Sequence, residues 1–135
     1  MISQSVESAL RAVIYLAGQN GRLVPVAEVA DAVAASRTYL AKMLGQLTAA
    51  GILESSRGAT GGFRVVRPLD RLTLAEIAAV LDGAEPRRCL LGTGICGKVD
   101  GCAVHQRWAP IAQEIDGFFT DTSVSDLLHI QRSIP

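Results

Sequence analysis

Ser36-Arg-Thr-Tyr-Leu-Ala-Lys-Met-Leu-Gly-Gln-Leu-Thr-Ala-Ala-Gly51, followed at once by Ile52-Leu-Glu-Ser-Ser-Arg-Gly-Ala-Thr-Gly-Gly-Phe-Arg-Val-Val66, is the stretch that decides the fold. In its first half Leu40, Met43, Leu44 and Leu47 recur at helical spacing, with Ser36 placed to cap the helix start and Gly51 to stop it. In its second half the period changes. Ile52 to Ser55 and Phe63 to Val66 read as two short strands, joined by a hairpin at 57–62 whose glycines permit positive φ. Just upstream, Val26, Val29, Ala30 and Val33 mark a shorter helix. A short helix, a tight turn and a longer helix make a helix-turn-helix, and the hairpin after it is a wing.

Working outward, Val6, Leu10, Val13, Ile14 and Ala17 predict a first helix from Ser3 to Ala17, with Gly18 and Gly21 punctuating its end. Thr73-Leu-Ala-Glu76 is a capping-box pattern, and Leu74, Ile77, Ala78 and Leu81 supply the apolar face of a helix that stops at Gly83. Further on, Val104, Trp108, Ile111, Ile115, Phe118 and Phe119 alternate three- and four-residue steps, the seam of a long helix that wants a partner. Pro110 falls within it and should kink it unless it lies near the helix start. Ser125-Asp126-Leu127-Leu128 suggests a final short helix. The expected class is mainly α with a small β-wing: a winged helix-turn-helix domain over 1–83, a cysteine-bearing loop over 84–103, and a dimerisation helix with a tail over 104–135.

The chain has 135 residues and is 49% hydrophobic, enough for a real core. It has no apolar run long enough for a membrane span and no signal-like N-terminus, so a cytoplasmic protein is expected. The net charge is zero, yet residues 1–72 hold eight Lys/Arg against five Asp/Glu and the remainder five against eight. Between Ser36 and Arg71 six basic residues (Arg37, Lys42, Arg57, Arg64, Arg67, Arg71) face two acidic ones (Glu54, Asp70). Such a local excess is either a solvated face or a footprint for phosphate. In a helix-turn-helix the start of the second helix faces the major groove. That start offers Ser36, Arg37, Thr38, Tyr39 and Lys42 to double-stranded DNA, while Arg57 at the wing reaches backbone or an adjacent groove and Gly58, Gly61 and Gly62 allow close approach.

The three cysteines of the chain, Cys89, Cys96 and Cys102, fall with His105 in one glycine-rich stretch. In a reducing compartment this points to metal or redox chemistry and away from disulfides. Thiolates suit iron-sulfur clusters, zinc or copper(I), and the lack of a CxxC pair removes zinc-ribbon spacing. Zinc, or thiols with no metal, remain open. A phosphate-binding loop at 57–62 is excluded because no Lys-Ser/Thr follows the glycines and a strand, not a helix, opens after it. No nucleophile and base stand in a recognisable pattern, so no catalytic residue is expected. A thiol enzyme would need an activated cysteine, for which no position is evident.

Ser36-Arg-Thr-Tyr-Leu40, Leu47-Thr-Ala-Ala-Gly-Ile-Leu53, Ser56-Arg-Gly-Ala-Thr-Gly-Gly-Phe63, Leu74-Ala-Glu-Ile77 with Asp82-Gly83, and Cys102-Ala-Val-His-Gln-Arg-Trp108 together resemble the IscR/NsrR-type winged-helix repressors. The resemblance runs from about Ser5 to Leu128. It implies a symmetric homodimer, a long dimerisation helix, and an iron-sulfur cluster held by Cys89, Cys96 and Cys102 that senses nitric oxide, redox state or iron-sulfur supply. Members differ in the fourth ligand. His105 matches the histidine of a 2Fe-2S site in the cluster-assembly regulators. Glu7 matches a carboxylate that reaches a 4Fe-4S cluster across the dimer in the nitric-oxide sensors. A redox-sensing relative adds a histidine one turn later, where this chain has Arg11, and an acidic reading residue of the assembly regulators is replaced by Ala41. The resemblance leaves both open. Glu7 from the other subunit, with a 4Fe-4S cluster, is expected ahead of His105 because a carboxylate given across the dimer would couple the cluster to the helix supporting the reader. The wide gap between Cys89 and Cys96 also suits one remote ligand. Target sequences do not carry over.

Overall fold

A computed structural model describes residues 2–83, 90 and 104–133. The first helix, α1 (Gln4–Ala17), starts where Ser3 accepts a hydrogen bond from the Val6 amide, and it buries Val6, Ala9, Ala12, Val13 and Leu16 along one face. α2 (Val26–Val33) ends at Ala34, which takes the left-handed conformation. That turn leads directly into α3 (Arg37–Ala49), capped by Ser36 Oγ on the Tyr39 amide and buried at Leu40, Met43, Leu44 and Leu47. The expected helix-turn-helix is present.

The wing is β1 (Leu53–Ser56) against β2 (Gly62–Val65), antiparallel, with Leu53 opposite Val65 and Ser56 opposite Gly62. Each strand is offset by one residue from the sequence expectation. Ile52 donates its amide back to the Leu47 carbonyl at the helix exit, while Gly62 is drawn into the ladder opposite Ser56. Val24 bridges to β2 as well: its amide and carbonyl exchange hydrogen bonds of 2.9 Å with Phe63. The backbones there are so close that a Cβ at Gly62 would strike the Val24 carbonyl. A side chain at Gly61 would likewise strike the Ser56 backbone. Gly61 is required by crowding, and Gly62 by crowding together with its positive φ.

α4 (Leu74–Asp82) carries the full capping box, with Thr73 Oγ1 accepting from the Glu76 amide and the Glu76 carboxylate accepting from the Thr73 amide. α5 (His105–Asp121) runs on through Pro110. The proline sits in the second turn, and Gln106, whose carbonyl loses its helical donor, is exposed to water. α6 (Val124–Ser133) returns to the main body. The strand-like link before it is stitched to the residues ahead of α4 by Leu74 N–H to Thr122 O (3.0 Å) and Val124 N–H to Leu72 O (2.9 Å). Val124 is fully buried in the same core as Leu16, Leu40, Leu44, Ile52, Leu72 and Ile77, with Leu128 packed at its margin. No helix among the described residues is long and apolar enough to cross a membrane.

Candidate nucleic-acid interface and metal site

The core under α3 is continuous, so the outer face of that helix is presented rigidly. Ser36, Arg37, Thr38, Tyr39 and Lys42 are all exposed, as are Ala41, Gly45 and Gln46 farther along the helix. Arg57 and Gly58 are exposed where the wing leaves β1, while Gly61 lies close on the Ser56 backbone and Gly62 lets the return strand approach Val24. The predicted reading residues thus lie on one helix start and one hairpin. Two of the six basic residues in this region are spent internally. Arg64 pairs with Glu54 across the wing at 2.7 Å, and Arg67 pairs with Glu76 at 3.0 Å, bracing the wing exit against α4. Arg37, Lys42, Arg57 and Arg71 have no ion-pair partner among the described residues and remain available for phosphates.

Tyr39 departs from the simple picture of a side chain pointing at bases. Its hydroxyl donates to Ser5 Oγ at 3.0 Å, tying the reader to α1, and the residue is 39% exposed. Nothing in the sequence signals this contact, because a serine and a tyrosine 34 positions apart carry no periodicity.

A second polar cluster supports α2. The Tyr15 hydroxyl donates to Glu28 at 2.6 Å, and Arg22 donates to both Glu28 oxygens at 3.2 and 2.6 Å. The Arg22 hydrogen bonds, followed by that of Tyr15, hold the Glu28 carboxyl below its ordinary range. The bond to Glu28 raises the Tyr15 hydroxyl in turn. These residues orient the first helix of the reading pair.

Cys89, Cys96 and Cys102 lie outside the described residues. Of the remaining candidate ligands, Glu7 is in the first turn of α1, its side chain 57% exposed and paired with Arg11 at 2.9 Å. His105 is the first residue of α5, partly buried. Near Glu7, Ser3 Oγ donates to both oxygens of Asp82 at 2.9 and 3.0 Å. The last residue of α4 is therefore pinned to the start of α1, and the cysteine-bearing segment departs from that junction. Among the described residues no three His, Cys, Asp or Glu side chains form a metal-binding group. A site here needs the thiols, whose chemistry fits iron and sulfide. The exposed carboxylate of Glu7, one helical turn from Ser3, has the chemistry of a further ligand.

A family model for Rrf2, described as iron-dependent transcriptional regulators, matches residues 2–130. The chain belongs to the Rrf2 family. It is similar to an Aquifex aeolicus protein described as an HTH-type transcriptional regulator, with 33% identity covering 97% of this chain and 93% of that one. It is also similar to the HTH-type transcriptional regulator IscR of Klebsiella pneumoniae, with 28% identity over 80% of this chain and 66% of IscR. Two solved structures share the fold. CymR, the global cysteine regulator of B. subtilis, superimposes with a TM-score of 0.78 at 24% identity, covering 96% and 97% of the two chains. T. potens IscR gives a TM-score of 0.77 at 22% identity, covering 100% and 92%. This Rrf2 protein is accordingly a transcriptional regulator of winged-helix fold, and its relatives are regulators, not enzymes.

Proposed function

We propose that this Rrf2 protein is a homodimeric, DNA-binding repressor acting in the cytoplasm. Its iron-sulfur cluster reports nitric oxide, redox state or iron-sulfur supply by changing DNA affinity. The observation that carries this reading is the Ser3–Asp82 junction. It fixes Asp82, which precedes the three soft thiols in sequence, to the same first turn of α1 that touches the start of α3 through Ser5 and Tyr39. Cys89, Cys96 and Cys102 hold the cluster, and Glu7 from the other subunit completes it as a 4Fe-4S centre. When bound, the cluster supplies a redox-active centre. Glu7 suits the task because its partner Arg11 is a surface contact, worth at most about 1 kcal/mol, and is readily given up.

The exposed face of α5 supports the dimer. Ile111 and Phe118 are 51% and 54% exposed on that helix, beside Ile2 at 53%, and they line an open apolar groove with Ile115 and Phe119. Large exposed apolar side chains at helical spacing are the mark of a face that a second helix covers. A twofold dimer presents two α3 helices to successive major grooves, so the operator is a pseudo-palindrome with half-sites roughly 34 Å apart.

Protein purified without oxygen tests the cluster. Iron and acid-labile sulfide should be present in near-equal amounts, and Ser at Cys89, Cys96 or Cys102 should remove the colour while helical content stays. Colourless protein with stoichiometric zinc would replace the cluster with a zinc site. Protein with no metal at all would leave a plain thiol regulator.

A further inference from the structure

The first turn of α1 sends three side chains to three different places. Ser3 reaches the end of α4 through Asp82, Ser5 reaches the start of α3 through Tyr39, and Glu7 points to solvent with Arg11. Successive residues on a helix are about 100° apart, so Ser3 and Glu7, four residues apart, lie on one side of the turn while Ser5 lies on the other, and a rotation of the turn moves all of them together. Tyr39 is a suitable receiver. Its amide is bonded to the N-cap Ser36 and the next residue, Leu40, is fully buried, so its backbone is held while the rigid phenol spans to Ser5.

The geometry points to Ser5 as a positioning residue for DNA recognition, acting through its hydrogen bond with Tyr39 to set the recognition helix relative to α1. The Tyr39 hydroxyl gives its proton to Ser5, and its contribution to binding comes from where this bond places Arg37, Thr38 and Lys42. A displacement of the α1 turn, transmitted from Asp82 and Glu7, then reaches the reader by the same bond. This last step rests on the cluster-sensing reading above.

The test is a double-mutant cycle of Ser5→Ala and Tyr39→Phe in the dimer, reading affinity for the operator and for unrelated DNA at one salt concentration. Each single change should weaken operator binding about 2- to 10-fold, the range for losing one hydrogen bond. Unrelated DNA should be bound as before, and the double variant should be no worse than either single one. Loss in Tyr39→Phe with none in Ser5→Ala would overturn the proposal and make the hydroxyl a direct DNA contact. Lower thermal midpoints with unchanged operator preference would reduce the bond to a structural one and also overturn it. The gap in operator affinity between cluster-loaded and cluster-free protein should narrow in both variants. Should wild-type protein show no such gap, the sensing reading fails, while the cycle on one form still decides the role of Ser5.

Discussion

Arg11 holds the Glu7 carboxylate at 2.9 Å, one helical turn along the exposed side of α1. The pair is an ordinary i,i+4 surface contact of small worth, which suits the ligand role proposed for Glu7, since giving up the arginine costs little. His105 begins α5 and is already engaged within the protein. Glu7→Ala prepared anaerobically should therefore lose or alter the cluster, as read by absorption and electron paramagnetic resonance, and His105→Ala should keep it. A normal cluster in the first variant with an altered one in the second would reverse the assignment.

Removing Arg57 probes the wing. With no ion-pair partner among the described residues, its guanidinium is available to phosphate. Arg57→Ala should weaken operator binding by about 1 to 3 kcal/mol and lower the slope of affinity against salt by about one ion. Dimerisation should persist. Unchanged affinity and slope would show that the wing does not touch DNA.

Gly62→Ala should destabilise the domain more than Gly58→Ala. Both positions have positive φ, but a Cβ at Gly62 collides with the Val24 carbonyl whereas one at Gly58 meets open space. The Gly58 change carries only backbone strain, on the order of 1 kcal/mol, and the Gly62 change must also break the rung between Val24 and Phe63. Chemical unfolding midpoints measure the difference, and equal midpoints would contradict the crowding.

The Glu28 cluster sets a pH dependence. Because the folded state lowers this carboxyl below its ordinary value of 4.5, its contribution is fully present above that pH and is lost as pH falls through the lower folded value. Glu28→Gln should be less stable than wild type at neutral pH, with the difference shrinking below about pH 4.5. A constant difference between the two unfolding curves across that range would show that the charge of Glu28 is not what holds Arg22 and Tyr15.

Much of this architecture was legible because it rests on local rules. Ser36 and Thr73 are caps whose signatures lie within four residues, and the stripes of α1 and α3 are simple periodicity. The wing strands were displaced by one residue because the Ile52 amide is captured by Leu47, a choice made by the helix exit and not by strand pattern. The return of α6 to the core was illegible: Val124 looks no different from a tail residue until Leu72 and Thr122 are brought beside each other in space. The same limit hid Ser5–Tyr39 and Ser3–Asp82, single polar contacts across long separations. The positive charge of 36–71 was legible in amount but not in use, since Glu54 and Glu76 silence two of its arginines.

Phe118→Glu, with Ile111→Glu as a second variant, should yield monomers in light scattering while the helical content of the domain is unchanged, since both side chains are exposed in the single chain. Operator affinity should fall because each half-site is then bound alone. A stable dimer from both variants would move the interface off this face of α5.

Control of the reader by the cluster is measured most directly as operator affinity of one anaerobic preparation before and after cluster removal, at fixed salt. Binding should weaken after removal by about 5- to 150-fold, the usual size of coupling between two sites, with dimer mass unchanged. Equal affinity of the loaded and cluster-free dimers would contradict that control.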